Sequence, residues 1–439
     1  MPNVISTDIH DTWMIDASHE EWTVEKTGSI SIDGLAISED AETGNVVFIR
    51  GDIHSETTVE GSTAVESDGH RSKFVVADTS LIDTETGFHF EGGSAHLQNA
   101  GLIHVTGTAV LLDESSAQFH LKNSGEITGE VAVQLAQLGN VLNRGEGLIS
   151  GTDTAIMVAD GPNLNNNNTI TNKGTISAPV AIDSGDNALL LDNYGTIKGS
   201  IEMGSGVLQA EFFDGSVFKG QIGSGDFDAT ITIHSGAQLS SPLSGLDGNT
   251  FYTLFGKVSV AIDENEDGGT DAVATTMKRY HLPDNVENLY MGSLRDNEAI
   301  PQSGHGVGNS LDNILMGEKN DILEGRGGND VLMTYGPAIA SVCTLIGGAG
   351  DDTFVTIIHR DDTWKTSWDV VQDFIEGEDK IAYVKDDDVT SISDLEIKQH
   401  GHDTWIGHNH RNLILKDVDA STLTSDDFQF GYQNLYDHL

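Results

Sequence analysis

The sequence is poor in cysteine, proline, aromatic residues and basic residues. Its 439 residues include one cysteine, Cys343, which excludes an intramolecular disulfide framework. Seven prolines against 50 glycines indicate a turn-rich β protein rather than a disordered, proline-rich one. Aromatic residues make up 6% of the chain, which is little for a compact core but sufficient for stacked β-coils.

Basic residues are scarce against a large acidic excess. The chain has 22 Lys and Arg residues, 69 Asp and Glu residues, and a formal net charge of −47. Nucleic acid is excluded as a partner because so few cations cannot neutralise its phosphates, and an anionic membrane surface is disfavoured for the same reason. Repulsion among the many acidic side chains destabilises a compact state, so we expect divalent cations to hold the fold together. Solubility in a saline habitat is a second explanation, compatible with the first.

Targeting segments and common catalytic motifs are also missing. No run of eighteen apolar residues is present, so we expect no transmembrane segment. Residues 1–22 are acidic and lack the basic-then-apolar pattern of a signal peptide, which places any export signal elsewhere. The zinc-protease motif H-E-x-x-H, the G-x-S-x-G elbow, the P-loop and C-x-x-C do not occur.

The strongest pattern present is a short repeat rich in glycine and aspartate within Gly304–Val355. Gly347–Val355 matches G-G-x-G-x-D-x-U-x at every specified position, and Gly325–Met333 matches except for Arg326 in place of the second glycine. Nine residues cannot bury their own apolar side chain, so successive turns must stack. Glycines allow backbone carbonyls to face an ion, and each aspartate adds the oxygen ligand that calcium prefers.

These residues resemble the calcium-binding nonapeptide repeats of the RTX family of secreted proteins. The resemblance implies a parallel β-roll in which turn carbonyls and repeat aspartates hold Ca²⁺. Because Gly317–Glu324 is one residue short and Thr334–Thr344 lacks an aspartate, we expect only two to four ions. A glycine- and aspartate-rich loop without metal is the alternative. Carried over by position, the expected ligands and turn residues are Asp321, Asp330, Asp352, Asn313, Gly325, Gly327, Gly347, Ala349 and Asp351.

A second repeat, Asn-x-Gly followed by Ile, recurs earlier in the chain. The spacings between successive asparagines are 24, 20, 29 and 21 residues, and short apolar runs lie between them. Each repeat therefore predicts two or three short strands, the length of one β-solenoid rung. An asparagine at one recurring position predicts a buried amide ladder between rungs. These asparagines are Asn99, Asn123, Asn143, Asn172 and Asn193.

The Asn-x-Gly region is similar to the repeats of bacterial surface adhesins and autotransporter passengers. The resemblance covers about Phe74–Gly245 and implies a right-handed parallel β-helix. An ordinary β-sandwich with coincidental turns is the alternative.

An acidic loop lies between the two repeat arrays. Asp263, Asn265 and Asp267 have the alternating oxygen spacing of an EF-hand loop, but position twelve is Ala274 rather than a bidentate glutamate. The EF-hand match therefore fails there, and both a calcium site and a solvated acidic loop stay open.

The last part of the chain resembles the C-terminal domain of serralysin-like RTX proteins. The resemblance rests on Trp368–Lys385 and Asn412–Phe430. It implies a cap on the β-roll and an uncleaved signal read by the type I secretion apparatus; the family's peptidase half is not matched. Four nearby histidines suit either a zinc or copper site or exposed hairpin turns; they are His400, His402, His408 and His410.

The sequence thus predicts an all-β chain: a right-handed parallel β-solenoid, then an RTX calcium-binding parallel β-roll and a C-terminal β cap. The predicted regions are an N-terminal β region (1–75), the solenoid (76–245), irregular coils with the acidic loop (246–303), the β-roll (304–356), and the cap with the secretion region (357–439).

The predicted function is that of a secreted, calcium-binding structural or adhesive protein of the surface-layer or adhesin type, at the cell surface or in the matrix. It would fold on external calcium after type I secretion, and associate with itself or with a cell-surface glycan. A polysaccharide-acting β-helix enzyme (a lyase, hydrolase or C5-epimerase) with an RTX module is the alternative. Lys173, Tyr194 and Lys198 lie close together in sequence but form no assignable acid–base pair, so we expect no enzyme. A passive calcium-binding module is a third possibility.

Overall fold

The protein is seen in a computed structural model that describes residues 3–40, 43–55, 61–113, 116–136, 139–159, 167–223, 225–244, 246–266, 268–292, 303–318, 320–334, 342–356, 367–384, 389–408 and 411–433. These residues form short β-strands and two single-turn 3-10 helices, which confirms the predicted all-β class. The chain divides into two compact units. The first unit comprises Met1–Asn249 and Val258–Ile262, and the second comprises Thr250–Lys257 and Asp263–Leu439.

The strands of the first unit are short and joined by turns. In chain order they are β1 (Val4–Ile5), β2 (Trp13–Ile15), β3 (Glu21–Val24), β4 (Ser29–Ser31), β5 (Leu35–Glu39), β6 (Val46–Ile49), β7 (Asp52–His54), β8 (Thr63–Ser67), β9 (Ser72–Val76), β10 (Leu81–Thr84), β11 (Thr86–Phe90), β12 (Gly93–Asn99), β13 (Leu102–Val105), β14 (Thr108–Leu112), β15 (Ser116–Asn123), β16 (Glu126–Leu135), β17 (Gly139–Asn143), β18 (Leu148–Val158), β19 (Asn167–Asn172), β20 (Thr175–Asp183), β21 (Ala188–Asn193), β22 (Thr196–Glu202), β23 (Leu208–Phe212), β24 (Val217–Lys219), β25 (Ala229–Ile233), β26 (Gln238–Leu239) and β27 (Leu243–Ser244).

The first unit is a parallel β-solenoid with three strand stacks in its N-terminal half. One stack runs from β1 through β12 to β25, with each strand parallel to the next. A second contains β2, β5, β8, β11 and β14, and a third contains β4, β7, β10 and β13. The second and third stacks merge in the long strand β16, which pairs with both β13 and β14. This confirms the predicted solenoid and excludes a β-sandwich.

The core of the first unit follows from the alternation of buried and outward-facing residues along strands such as β12. In β12, Ala95, Leu97 and Asn99 are buried while the residues between them face outward. Leu97 lies in register with Phe74 in the preceding rung and Leu121 in the following one. Each such side chain, fully buried, stabilises the fold by about 1.5–3 kcal/mol. The stacked rungs therefore make one continuous apolar column.

The Asn-x-Gly asparagines form the predicted buried ladder. Each side-chain amide donates to the Oδ1 atom of the asparagine in the next rung, at 2.9 Å at every step. Asn143 also donates to the carbonyl oxygens of Gly147 and Thr175, both at 3.1 Å. The glycine of the motif is needed because rungs approach closely: a Cβ at Gly195 would lie 2.2 Å from the carbonyl oxygen of Gly174. Amide groups are both donors and acceptors, so the ladder satisfies itself.

The second unit contains the remaining strands. They are β28 (Thr250–Leu254), β29 (Ile262–Asp263, at the boundary), β30 (Ala272–Thr275), β31 (Arg279–His281), β32 (Asn288–Met291), β33 (His305–Val307), β34 (Ile314–Gly317), β35 (Ile322–Gly327), β36 (Val331–Thr334), β37 (Thr344–Ala349), β38 (Thr353–Thr356), β39 (Ser367–Val371), β40 (Lys380–Val384), β41 (Glu396–His400), β42 (Asp403–His408), β43 (Arg411–Leu415) and β44 (Phe428–Tyr432); the 3-10 turns are η1 (Ile392–Asp394) and η2 (Ser425–Asp427).

The second unit is a two-sided parallel roll. One side stacks β28, β30, β32, β34, β36, β38, β40 and β44, and the other stacks β31, β33, β35, β37, β39 and β43. Beyond β43 the second side continues antiparallel through β42 and β41. In the described ranges, no helix combines the length and apolar character that crossing a membrane requires.

Candidate metal centre

The two best nonapeptide repeats lie directly over one another. Strand β35 pairs in register with β37, and β36 pairs with β38, so that Leu323 faces Leu345 and Leu332 faces Phe354 in the core. Leu323 and Leu332, nine residues apart, belong to opposite sides of the roll. One nonapeptide therefore makes half a turn, and successive repeats place their loops at opposite edges.

The glycine-rich loops are shaped by residues in the left-handed region. Gly328, Gly348 and Gly350 have φ values of 107°, 109° and 138°. A Cβ at Gly348 would lie 2.3 Å from the carbonyl oxygen of Arg326 in the neighbouring turn. Arg326 itself, which replaces the second glycine of its repeat, is held at φ 83°. The backbone of one loop thus approaches the next too closely for a side chain at these positions.

A column of acidic and amide side chains runs along one edge of the roll. All of its members immediately precede a strand of the β28–β44 side. Most of them accept, through a side-chain oxygen, a hydrogen bond from a backbone N–H one turn away. Asn313 N donates to Asp330 Oδ1 at 2.8 Å, Asp330 N to Asp352 Oδ1 at 2.8 Å, and Asp352 N to Asp379 Oδ1 at 2.9 Å. The acidic column comprises Asp271, Glu287, Asn313, Asp330, Asp352 and Asp379.

The acidic column contains acceptors that the protein does not satisfy. Oδ2 of Asp330 is buried and has no hydrogen-bond donor in the described part of the chain. A Cβ at Gly325 would lie 2.1 Å from this atom and 2.5 Å from the carbonyl oxygen of Gly347. A Cβ at Gly347 would likewise lie 2.2 Å from Oδ2 of Asp352. The glycines therefore leave a cradle into which only oxygen acceptors converge, which is the donor set of a hard cation such as Ca²⁺.

Burial raises the pKa values of the carboxyl groups in the acidic column. Removal from water raises the pKa of Asp330 to about 7 and that of Asp352 to about 6, and the neighbouring carboxylates add to the effect. Burial also raises the pKa of Asp379. Because a nearby positive charge favours the ionised form, a cation in the cradle would oppose this cost of burial.

Asp321 lies at the other edge of the roll, away from the acidic column. It precedes β35, and its carboxylate accepts from the backbone N–H groups of Gly304 and Glu318. In the same edge, Asp369 accepts from Cys343 N at 3.3 Å and from Thr334 Oγ1 at 2.8 Å. The structure thus brings Asn313, Asp330 and Asp352 together and separates Asp321 from them, as the half-turn length of the repeat requires.

The remaining predicted turn residues line the outer surface of the loops. Ala349 and Asp351 are exposed, and Gly327 lies in register with Ala349. Asp351 donates its backbone N–H to Asn329 Oδ1 at 2.9 Å. Asp373, which the sequence did not single out, accepts from the backbone N–H groups of Gly347 and Gly348, both at 3.0 Å.

Three column members were not predicted as ligands from sequence: Asp271, Glu287 and Asp379. Asp271 is fully buried, accepts from Thr250 N at 2.7 Å, and has an Oδ2 atom with no donor among the described residues. Asp379 precedes β40 just as Asp330 precedes β36, so a search for aspartate directly before a short apolar strand would have found it.

The acidic loop does not assemble a recognisable centre in the described residues. Asp263 is exposed on β29, and Asn265 lies in the exposed turn after it. Asp267 lies outside the described residues. Glu264, between Asp263 and Asn265, has a buried side chain that accepts a hydrogen bond from the Tyr252 hydroxyl group. A calcium site at this loop stays a prediction.

The histidine group is divided by the hairpin that carries it. His400 pairs with Asp403 at the turn between β41 and β42, whereas His408 lies at the far end of β42. His400 stacks on Trp405 with ring centroids 3.8 Å apart, and His408 Nδ1 lies 2.8 Å from the carbonyl oxygen of Asp394. His410 lies outside the described residues. The described histidines therefore do not converge on one ion.

Comparison with known protein families matches a segment of the second unit. Residues 291–400 match the family model "Peptidase M10 serralysin C terminal". No curated protein matches the chain. Fifteen chains of solved structures match, among them the extracellular lipase LipA from Serratia marcescens, with 15% identity and a TM-score of 0.18 over 62% of this chain and 44% of the lipase chain. This chain thus corresponds to less than half of the lipase, and the likeness is too distant to bear on an active site. The second unit contains a segment similar to the RTX-type C-terminal domain of serralysins.

Proposed function

We propose that this chain is a secreted RTX-type protein in which the acidic column of the second unit binds calcium and the first unit is a structural or adhesive solenoid. The observation that carries the proposal is the cradle at Asp330, where a buried carboxylate oxygen with no donor among the described residues faces the carbonyl oxygen of Gly347 across Gly325. The match of residues 291–400 to the serralysin C-terminal domain supports it.

In the proposed centre, Asp330 and Asp352 supply the carboxylate oxygens, and Gly325 and Gly347 supply carbonyl oxygens. When bound, calcium supplies positive charge that offsets the burial of these acids. The backbone N–H bonds to Oδ1 of Asp330 and Asp352 hold both carboxylates in place. At low calcium, buried carboxylates in neighbouring turns repel one another, so the roll would stay open until the chain meets external calcium.

Circular dichroism tests the binding proposal directly. We expect added calcium to increase the β-sheet signal of the purified protein and a chelator to reverse the change. Asp330→Asn should raise the calcium midpoint at least about tenfold because it removes one anionic ligand. Asp426→Asn, an exposed aspartate of η2 outside the predicted ligand set, is the matched control and should leave the midpoint unchanged. A β-sheet signal that does not respond to calcium would refute the proposal.

Export by a type I apparatus is proposed from the similarity to the serralysin C-terminal domain. Deleting residues 368–439 should leave the protein inside a cell that expresses a type I exporter. The full chain and Asp330→Asn serve as controls, since neither lacks the terminal segment. Normal secretion of the truncated chain would contradict this part of the proposal.

A structural or adhesive role predicts that the protein associates with itself or with a cell-surface glycan when calcium is present. Electron microscopy of the purified protein with calcium and with chelator tests self-association, and binding to a glycan array tests the second mode. Ordered arrays or filaments only with calcium would support a surface-layer role. A monomer that binds no glycan would leave a passive calcium-binding module as the better description.

One outward-facing cluster favours the enzyme alternative. Asp192 and Glu211 lie in register on neighbouring rungs, and burial together with the Glu211 charge raises the pKa of Asp192. His234 Nε2 lies 2.6 Å from Glu211 Oε1, and Lys173 Nζ lies 5.0 Å from the centre of the Tyr194 ring. A carboxyl group with a raised pKa beside a second carboxylate is an arrangement that general acid–base catalysis can use.

A screen of acidic and neutral polysaccharides by reducing-end release and by lyase absorbance tests this alternative. Activity lost in Asp192→Asn, but kept in a variant of the exposed Asp214, would replace the structural role with an enzymatic one. Lys198 is exposed on β22, outside the strands that carry this cluster, and we expect Lys198→Ala to have no effect.

A further inference from the structure

The first unit carries a cluster of two glutamates and one histidine on outward-facing positions of neighbouring rungs. Glu66 on β8 and His89 on β11 face each other across the parallel pair, with Phe90 opposite Ser67 one position further on. The pairing extends by one residue, because Glu91 N donates to the carbonyl oxygen of Ser67 at 3.0 Å. The sheet register therefore holds all three side chains on one small patch.

The ligand atoms of the cluster are close enough for one ion. One ring nitrogen of His89 and one carboxylate oxygen each of Glu66 and Glu91 all lie within 4.8 Å of one another. His89 Nδ1 and Glu91 Oε1 are 3.7 Å apart. A tetrahedral zinc ion with bonds of about 2.0–2.1 Å separates its ligand atoms by about 3.4 Å. Small side-chain rotations are thus enough to close the cluster around such an ion.

A fourth residue is placed where it can select the tautomer of His89 that binds metal. His89 Nε2 lies 3.1 Å from Asp113 Oδ1, and Asp113 directly follows β14 in the next rung. With its proton on Nε2 donated to this carboxylate, the imidazole presents the Nδ1 lone pair toward Glu91. Metal-binding histidines characteristically donate their other ring N–H to a carboxylate in this way. Asp113 is accordingly a positioning residue rather than a ligand.

The composition of the cluster selects the class of ion. One imidazole with two carboxylates suits a borderline transition metal such as Zn²⁺, whereas calcium sites use oxygen ligands alone. Like charges in register across neighbouring strands repel, and Glu91 and Asp113 follow adjacent rungs of one stack. A bound cation would relieve that repulsion and tie adjacent rungs together.

We propose that Glu66, His89 and Glu91 form a zinc-class metal site on the first unit, separate from the calcium centre of the second. A protonated His89 between carboxylates, forming ion pairs without metal, is the competing explanation of the same distances. The two differ in whether the full chain binds zinc with defined stoichiometry.

Isothermal titration of the full chain with zinc chloride, in excess calcium and magnesium to occupy general acidic sites, tests the proposal. We expect one saturable zinc site per chain at this cluster. His89→Ala and Glu91→Gln should each abolish it or weaken it at least about tenfold, and Asp113→Asn should weaken it by about 10–100-fold. His96→Ala is the matched control, because His96 is exposed on β12 with Lys73 and His120 rather than carboxylates in register beside it, and it should bind like the parent.

Cobalt substitution provides a second measurement that does not depend on one variant folding well. Co²⁺ bound at this site should give visible absorption bands that disappear in Glu91→Gln, whose side chain is largely exposed. Circular dichroism of each variant in calcium confirms that it is folded. No saturable zinc binding, or binding that persists in both His89→Ala and Glu91→Gln, would overturn the proposal in favour of the ion pairs.

Discussion

Two glycines in neighbouring turns of the roll, Gly327 and Gly348, differ sharply in what their backbones tolerate. Gly348 has φ 109° and a carbonyl oxygen 2.3 Å from the place of a Cβ, whereas a Cβ at Gly327 would meet nothing nearer than 3.8 Å. Glycine residues of the same repeat motif therefore differ in whether the backbone geometry requires them. Gly348 is required by geometry, and Gly327 is not.

This contrast gives a matched pair of substitutions. Gly348→Ala should reduce the free energy of unfolding by about 2–4 kcal/mol, because it combines a left-handed backbone with a clash against the next turn. Gly327→Ala should change it by less than about 1 kcal/mol. Urea unfolding in saturating calcium measures both, and similar losses for the two would contradict the stacking of these loops.

The burial of Asp271 predicts that the stability of the fold depends on pH. Burial raises the pKa of Asp271 from 3.8 to about 6, so between about pH 4 and pH 6 the folded chain binds a proton that the unfolded chain has released. Stability from this group is present at low pH and is lost as pH rises through that window. Asp271→Asn keeps the acceptor for Thr250 N and removes the titration, so it should be more stable than the parent at pH 7, by on the order of 2 kcal/mol.

Thermal melting of the parent and Asp271→Asn at intervals from pH 4 to pH 8, in constant calcium, measures the difference. The two curves should coincide near pH 4, separate between about pH 4 and pH 6, and keep a constant difference above about pH 6. Asp78→Asn, in an exposed turn, changes the net charge equally and serves as the control. Parallel curves at all pH values would show that Asp271 is ionised in the folded state at little cost.

At the scale of the element, the asparagine ladder is the part of the fold that the sequence predicted best. Its five members recur in a recognisable motif, and the structure places all of them in one hydrogen-bonded column. The acidic column was predicted only in part. Its members Asn313, Asp330 and Asp352 fall in the repeats, but Asp271 and Asp379 lie outside the glycine-rich motif, and turns of unequal length hide their common position.

Asp321 illustrates why a linear repeat does not fix a site. The nine-residue spacing that groups it with Asp330 in sequence places the two on opposite edges of the roll. The zinc-class cluster escaped prediction for a related reason. Glu66 and His89 are 23 residues apart and meet only through the pairing of β8 with β11, for which no short motif exists.

The ladder can be tested within a single strand, β17, which carries asparagines on both faces. Asn143 is fully buried in the ladder, whereas Asn140 is exposed. Asn143→Ala should reduce the free energy of unfolding by about 2–4 kcal/mol, because it leaves neighbouring amides and carbonyls without partners. Asn140→Ala should change it by no more than about 0.5 kcal/mol. Chemical unfolding followed by fluorescence compares them, and equal effects would deny the ladder its stabilising role.

At the scale of the whole molecule, the net charge of −47 governs how stability responds to ions. Raising NaCl from 0.1 to 1 M shortens the Debye length from about 10 to about 3 Å, so general screening should raise the melting temperature gradually. Calcium at millimolar concentration should raise it further than magnesium at the same concentration, because magnesium demands octahedral geometry and dehydrates reluctantly. Equal effects of the two ions would indicate screening without a dedicated site.

Each of the two units stacks a column of polar side chains between its turns, but the chemistry of the two columns is opposite. Along the ladder of the first unit, every amide gives one hydrogen bond and takes another, so the stack needs nothing from outside the chain. Along the acidic column of the second, carboxylates can only accept, and Asp330 retains an oxygen for which the described chain offers no donor. The ladder of the first unit therefore needs no ion for its own hydrogen bonds, whereas the roll, if its column binds calcium as proposed, would assemble only where calcium is available. The polypeptide would then combine a constitutive scaffold with a roll that responds to the ionic composition of its surroundings.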